Sequence, residues 1–173
     1  MDLQYYRVPD SPPGASPLAV RAGEFVFFAG GIAAHPLTGI PDEIKPRRGF
    51  PYHGSGMDRQ IRYVYDNMAL ALETTGSAIS RVMQIDSFHM NPAEIDPALR
   101  VRKEYFGVET PPPSILLLVS ETPVEGATVT CDVIALATDA KQDRVAFETS
   151  SAKTPQSTIN LIFGQRIFVQ AVR

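Results

Sequence analysis

Residues 111–137 read PPPSILLLVSETPVEGATVTCDVIALA, and the fold turns on this stretch. Pro111, Pro112 and Pro113 cannot continue a helix, and each pushes the residue before it toward extended geometry, so a helix ahead of them must end there. Ser114 to Ser120 then brackets an apolar run of strand length, and Ala127 to Ala137 is rich in Val, Ile and Thr, as a buried strand requires. Between them Pro123 stops one strand and Gly126 frees the backbone before the next. The pattern predicts a central β-hairpin over 114–137.

Upstream of the prolines, Ile95, Leu99, Arg102 and Tyr105 or Phe106 fall at helical spacing and Gly107 closes the run, which predicts a helix over about 93–106. Its charges, Arg100, Arg102 and Lys103 among Glu94, Asp96 and Glu104, read as a solvated face with i,i+4 pairs. Arg81 to Met90 alternates as a strand and stops at Asn91-Pro92. From Asp58 the period is helical again, with Ile61, Val64, Tyr65, Met68 and Leu72 on one stripe and Gly76 as terminator. Ala19–Arg21 and Glu24–Ala29 flank Ala22-Gly23 and predict a hairpin. Gly30-Gly31 follows, where the backbone can approach a neighbour more closely than a side chain would allow, as at a bulge or a ligand wall.

Two stretches resist this pattern. Residues 1–17 carry Pro9, Pro12, Pro13, Gly14 and Pro17, leave no room for a helix, and are expected to wrap the surface. Residues 35–56 hold eight glycines and prolines, from Pro36 to Gly56, and make a connection longer than compact domains usually contain. Lys45, Arg47 and Arg48 make it basic, and Phe50 and Tyr52 give it something to pack, so it is expected to be an ordered lid or a subunit-contact loop. The order ββ, α, β, α, ββ predicts an α+β layer with helices grouped on one face of a mixed sheet. Residues 1–137 form this domain. Residues 138–173 are an extension, polar at first and strand-like from Thr158, expected to add a strand to its own sheet or to a neighbouring subunit.

Composition narrows the functional classes. The chain has 173 residues, 44% of them hydrophobic, enough for a single core. Sixteen basic against nineteen acidic residues give a net charge of −3, which argues against a binder of nucleic acid. The single cysteine, Cys131, cannot form an internal disulfide and reads as a small core residue. No apolar run is long enough to cross a bilayer and no signal region opens the chain, so the simplest expectation is a cytoplasmic protein without membrane contact. His35, His53 and His89 lack metal-ligand spacing, and no metal or cofactor is expected.

Taken in order, several pieces resemble the reactive intermediate deaminase, or YjgF-like, family over roughly residues 15–137. They are Ala19-Val20-Arg21-Ala22-Gly23 leading into Phe25 to Gly31, Asp58-Arg59-Gln60-Ile61 with Asp66-Asn67-Met68, Gly76, Glu104-Tyr105-Phe106-Gly107, Pro123, Gly126-Ala127 and Val133-Ile134-Ala135. The resemblance implies a chorismate-mutase-like mixed sheet with two helices on one face, closed into a barrel when three subunits meet, with small-molecule sites in the clefts between them. It also implies hydrolysis of a small imine or enamine whose carboxylate an arginine holds, since a guanidinium fork matches a carboxylate.

Residue by residue, this chain departs from that site. The family's arginine position, before the serine that opens its strand, is Pro113 here, ahead of Ser114, and the acid position on the last strand is Thr130, with Asp132 keeping a second acid. The N-terminal tyrosine position is Ser16, a strand-end hydroxyl is Ala29, a helix asparagine is Leu99, and the residue after the serine is Ile115. Ser114 and Thr130 remain as candidate catalytic hydroxyls. Arg47, Arg48, Arg59, Gly31 and Pro113 are candidates for binding substrate, against the plainer reading of each arginine as surface charge. Two functions follow: a deaminase-type hydrolase acting on a small anionic imine or enamine through a rebuilt site, or a catalytically inactive homotrimer that binds a metabolite or has a regulatory role.

Overall fold

Helix α1 (Gly56–Thr74) and helix α2 (Ile95–Phe106) are the two long helices of the computed structural model, which describes residues 3–7, 13–15, 17–35, 37–45, 56–107, 111–141, 145–148, 159–163 and 166–169. On α1 the stripe predicted from periodicity, Ile61, Val64, Tyr65, Met68 and Leu72, is buried. At roughly 1.5–3 kcal/mol for each large aliphatic side chain removed from water, this stripe is what fixes the helix to the sheet. Tyr65 stacks between the two helices, its ring centroid 5.2 Å from that of Tyr105 and 5.3 Å from that of Phe106. Arg62 on α1 holds both carboxylate oxygens of Glu104 on α2, at 2.6 and 2.9 Å, and Asp66 accepts from the Tyr105 hydroxyl.

The helices lie against a six-stranded sheet. Its strands are β1 (Leu3–Tyr6), β2 (Ala19–Ala22), β3 (Phe25–Ile32), β4 (Val82–His89), β5 (Ser114–Leu118) and β6 (Val129–Leu136), in the spatial order β1-β2-β3-β6-β4-β5. Every pairing is antiparallel except β4 with β5, which is parallel and joined by α2 as a crossover. On β6 the odd-numbered residues Val129, Cys131, Val133 and Ala135 are buried beneath the helices, and Thr130, Asp132 and Ile134 face the other way. The layer is therefore the α+β arrangement expected, with both helices on one side.

Three expectations are corrected. Residues 114–137 are not a hairpin: β5 pairs with β4 and β6 pairs with β3 and β4, so β4 lies between the two strands. The N-terminus does not merely wrap the surface, because Leu3–Tyr6 extends the sheet beside β2. Nor is α2's charged set a uniformly solvated face, since Arg102 turns inward, as described below.

The loop after β3 begins as ordered structure: His35 bridges Gly39, and Ile40 and Ile44 are buried. Residues 46–55 lie outside the described set, and with them Arg47 and Arg48. In the extension, β7 (Val145–Glu148), β8 (Ile159–Phe163) and β9 (Arg166–Val169) pair with one another in a separate three-stranded sheet rather than with the six-stranded one.

Between Phe28 and Gly31 the register of β3 against β6 shifts, a bulge that Gly30 and Gly31 enable in different ways. Gly30 has φ +75° with open space around it, and its N–H donates to Asp132 Oδ1 at 2.7 Å. Gly31 has no such dihedral, but a Cβ there would stand 2.6 Å from the Phe28 ring and 2.8 Å from the Cys131 carbonyl oxygen. Gly31→Ala is therefore expected to lower stability by about 1–3 kcal/mol through overpacking, and Gly30→Ala by about 1–2 kcal/mol through backbone strain. Urea unfolding of the two variants checks this, and an unchanged midpoint for Gly31→Ala would contradict the close approach.

Candidate functional site

The parallel pairing sets Ser114 opposite Ile85, which in turn faces Val133, and all three are on the helix side of the sheet. Beneath Ser114 lies the group the sequence did not single out. Arg102, which directly follows the buried Val101 on α2 and is itself mostly buried, donates from Nη1 to Ser114 Oγ at 2.5 Å and from Nη2 to the Pro112 carbonyl oxygen. Burial draws the guanidinium below its ordinary pKa, with Tyr65 and Cys131 opposing. The three prolines leave a backbone carbonyl with no ladder partner of its own, and a charged donor from α2 satisfies it.

Next to Arg102 is a cavity of about 10 Å³ lined by Tyr65, Ser87, His89 and Leu116 among others, roughly the space one water needs. His89 is buried there, its Nδ1 without a hydrogen-bond partner, and burial holds its pKa below the ordinary histidine value. Cys131 is fully buried and its thiol is pushed far up by desolvation, so it is a core residue and not a nucleophile.

On the opposite face the cross-strand register places residues in rows. One row carries Phe27, Ile134 and Gln84; the next carries Asp132, Asp86 and Ile115; the next carries Thr130, Phe88 and Leu117. Asp86 and Asp132 are directly opposed, so their Cβ atoms are about 5 Å apart. Each is held by a neutral donor: both oxygens of Asp86 accept from Gln84 Nε2 at 3.0 Å, and Asp132 accepts from the Gly30 N–H. None of the side chains in these rows is cationic. Around this polar centre Phe27, Ile115 and Leu117 are exposed, at 43%, 41% and 49%.

Ser114 and Thr130 are thus not brought together within one chain. They project to opposite faces, and two strand spacings with a three-residue offset put them roughly 14 Å apart. Gly31 and Thr130 are neighbours instead, because Gly31 pairs with Cys131 and Ile32 with Thr130. Pro113 stands beside Ser114, and its carbonyl accepts from the Ile85 N–H at 3.1 Å. Arg59, at the start of α1, is tied to the loop by a 3.3 Å bond from Nη2 to the Lys45 carbonyl. The Asp86–Asp132 pair is visible in the sequence only after β4 is registered against β6.

A family model described as Endoribonuclease L-PSP matches residues 11–137. The chain belongs to that family. Its relatives include a RutC family protein of Pyrococcus horikoshii, 29% identical over 114 residues that cover 65% of this chain and 79% of that one. Among solved structures of the L-PSP fold, a probable translation initiation inhibitor from Rhodopseudomonas palustris superposes with a TM-score of 0.63 at 25% identity, over 79% of this chain and 98% of the other. A protein of the conserved Rid family from Yersinia pestis, YyfA, gives 0.64 at 21% identity, over 79% and 100%. The YjgF-like resemblance read from the sequence is confirmed at the level of family and fold.

Arg102→Met is expected to destabilise the protein by about 1.5–3 kcal/mol, the scale of a hydrogen bond from a charged group, and Arg102→Lys to recover only part of this because one ammonium does not reproduce the fork. Equal midpoints for native and Arg102→Met in denaturant titration would dismiss the role. His89 gives a pH dependence with a defined sign. Its folded pKa is depressed, so below about 6.5 the unfolded chain takes up a proton that the folded one does not, and stability falls as pH drops from there toward the folded value. In His89→Gln that part of the acid slope should vanish, as thermal unfolding from pH 7.5 to 5 would reveal.

Proposed function

We propose that the protein is a deaminase-type hydrolase that acts on a small imine or enamine at a site formed where the outer sheet face meets that of a neighbouring subunit in a homotrimer. The observation that supports this is the outer face itself: an exposed apolar surface of Phe27, Ile115 and Leu117 around a polar centre of Thr130, Asp132 and Asp86, where the resemblance read from the sequence puts family site positions at Ile115, Thr130 and Asp132. Apolar side chains on this scale favour burial in an assembly. The carboxylates accept protons and could orient a water for attack at an imine carbon. Since the rows carry no cation, an anionic substrate needs an anchor from elsewhere, and the candidates read from the sequence are Arg59, which lies on the helix side at the start of α1 and so would be a neighbouring subunit's, and Arg47 and Arg48, which lie outside the described residues.

A second reading is favoured by the substitution of Pro113 and Ile115, which leaves a largely apolar rim: a trimer that binds a metabolite without turning it over. The two readings separate in one assay. A small 2-imino acid generated in solution should release ammonia at least tenfold faster with protein than without, and faster than the corresponding amide, which lacks the carboxylate. The triple variant Arg47→Gln, Arg59→Gln and Arg48→Gln should lose at least tenfold in kcat/KM for the acid. Saturable binding with no acceleration would support the binder, and a monomeric mass in solution would remove the shared cleft on which both readings rest.

A further inference from the structure

On the helix side, away from the face just considered, a cavity of about 350 Å³ opens between α1 and strands β1–β3. That volume is within the range of small-ligand pockets. Its floor is apolar, formed by Leu18, Phe28, Ile32, Val64 and Ala71. On α1 the positions Tyr63, Asn67, Leu70 and Thr74 follow i, i+4, i+7 and i+11, a second stripe beside the core one, and all four line the cavity. Leu70 in this stripe is 63% exposed, so an apolar side chain stands at the rim with no described residue over it.

Charge at this cavity is one-sided. Arg7, directly after β1, lines it, and no aspartate or glutamate appears among its described lining residues. The other polar side chains are the Asn67 amide, hydroxyls and His35, whose Nδ1 accepts from the Leu37 N–H at 3.2 Å. A cationic guest would meet Arg7 with no carboxylate to offset it. A neutral guest would use the floor alone, whereas an amphipathic anion uses both the floor and the guanidinium.

We infer that this cavity is a binding site for a small amphipathic carboxylate, its apolar body on the Leu18–Phe28–Val64 floor and its anionic head paired with Arg7. Gly30 and Gly31 of the β3 bulge also line this cavity, so it shares a wall with the outer-face residues, but the pairing of an anion with Arg7 does not rest on what the outer face does.

The test uses the full chain and a graded series of probes in calorimetry. From hexanoate to octanoate, each added methylene should tighten binding about fourfold until the cavity is filled. Octanoate should bind at least tenfold more tightly than octanol or octylamine. Arg7→Gln should remove the preference of octanoate over octanol, and Leu70→Asp, at an exposed helix position, should weaken both; circular dichroism checks that each variant is folded. Octanoate that binds no better than octanol, binds Arg7→Gln and Leu70→Asp as tightly as the native protein, or shows no saturation in the millimolar range overturns the inference.

Discussion

Six strands covered by helices on one side only is the constraint from which the other features follow. The inner face has a full core, with Val26, Phe28, Ile61, Val64, Met68, Leu72, Ile85 and Val133 all buried. Among the described residues the outer face has no such cover, yet its side chains are largely apolar, and a sheet of this kind is stable in water only if something else shields that side. Its few polar groups are correspondingly well supplied with partners: Asp132 by the bulge N–H and Asp86 by Gln84. The bulge at Gly30 serves both sides at once, bending β3 over the core and turning a backbone donor toward an acid on the exposed face.

Two long polar side chains perform a parallel service on the inner side. Gln60 on α1 is completely buried, donates to the Gly126 carbonyl at 2.9 Å and accepts from the Thr128 N–H at 2.9 Å, so the turn before β6 is pinned to the helix. Arg102 on α2 does the same for the segment before β5. In each case irregular backbone that cannot join the ladder finds a partner on a helix, because an unpaired buried amide or carbonyl costs more than ordering one side chain. Gln60 therefore holds the end of the β5–β6 connection, and Arg102 the entry to β5.

Much of the fold was legible in the sequence and for definite reasons. The 3.6-residue period of Ile61 to Leu72, the terminators Gly76 and Gly107, and the turn at Ala22-Gly23 are local signals, and local structure obeyed them. Strand adjacency is not a local signal. Nothing in 114–137 states that β4 will lie between its two strands, and the hairpin expectation failed there. β1 was hidden because prolines dominate the segment after it, although Leu3–Tyr6 itself contains none. Arg102 was misread because a charge among charges looks solvated, whereas its depth is set by α2's rotation and by the carbonyl that the prolines expose. The opposition of Asp86 to Asp132 depends on register between positions 46 apart in numbering, which composition does not encode.

The placement of β6 also dictates the order in which the molecule can be made. With β1–β3 on one flank and β4–β5 on the other, the strand written last of the six is the only bridge between two halves that otherwise share no ladder. Until residues 129–136 have left the ribosome, the nascent chain holds two unsealed sheet fragments with open edges on β3 and β4. Closing the β3–β6 pair spans about a hundred residues, an entropic cost of roughly 4 kcal/mol for a flexible loop. A chain interrupted before Val129 thus has no smaller version of this architecture to settle into, and its paired fragments are natural targets for chaperones or for one another.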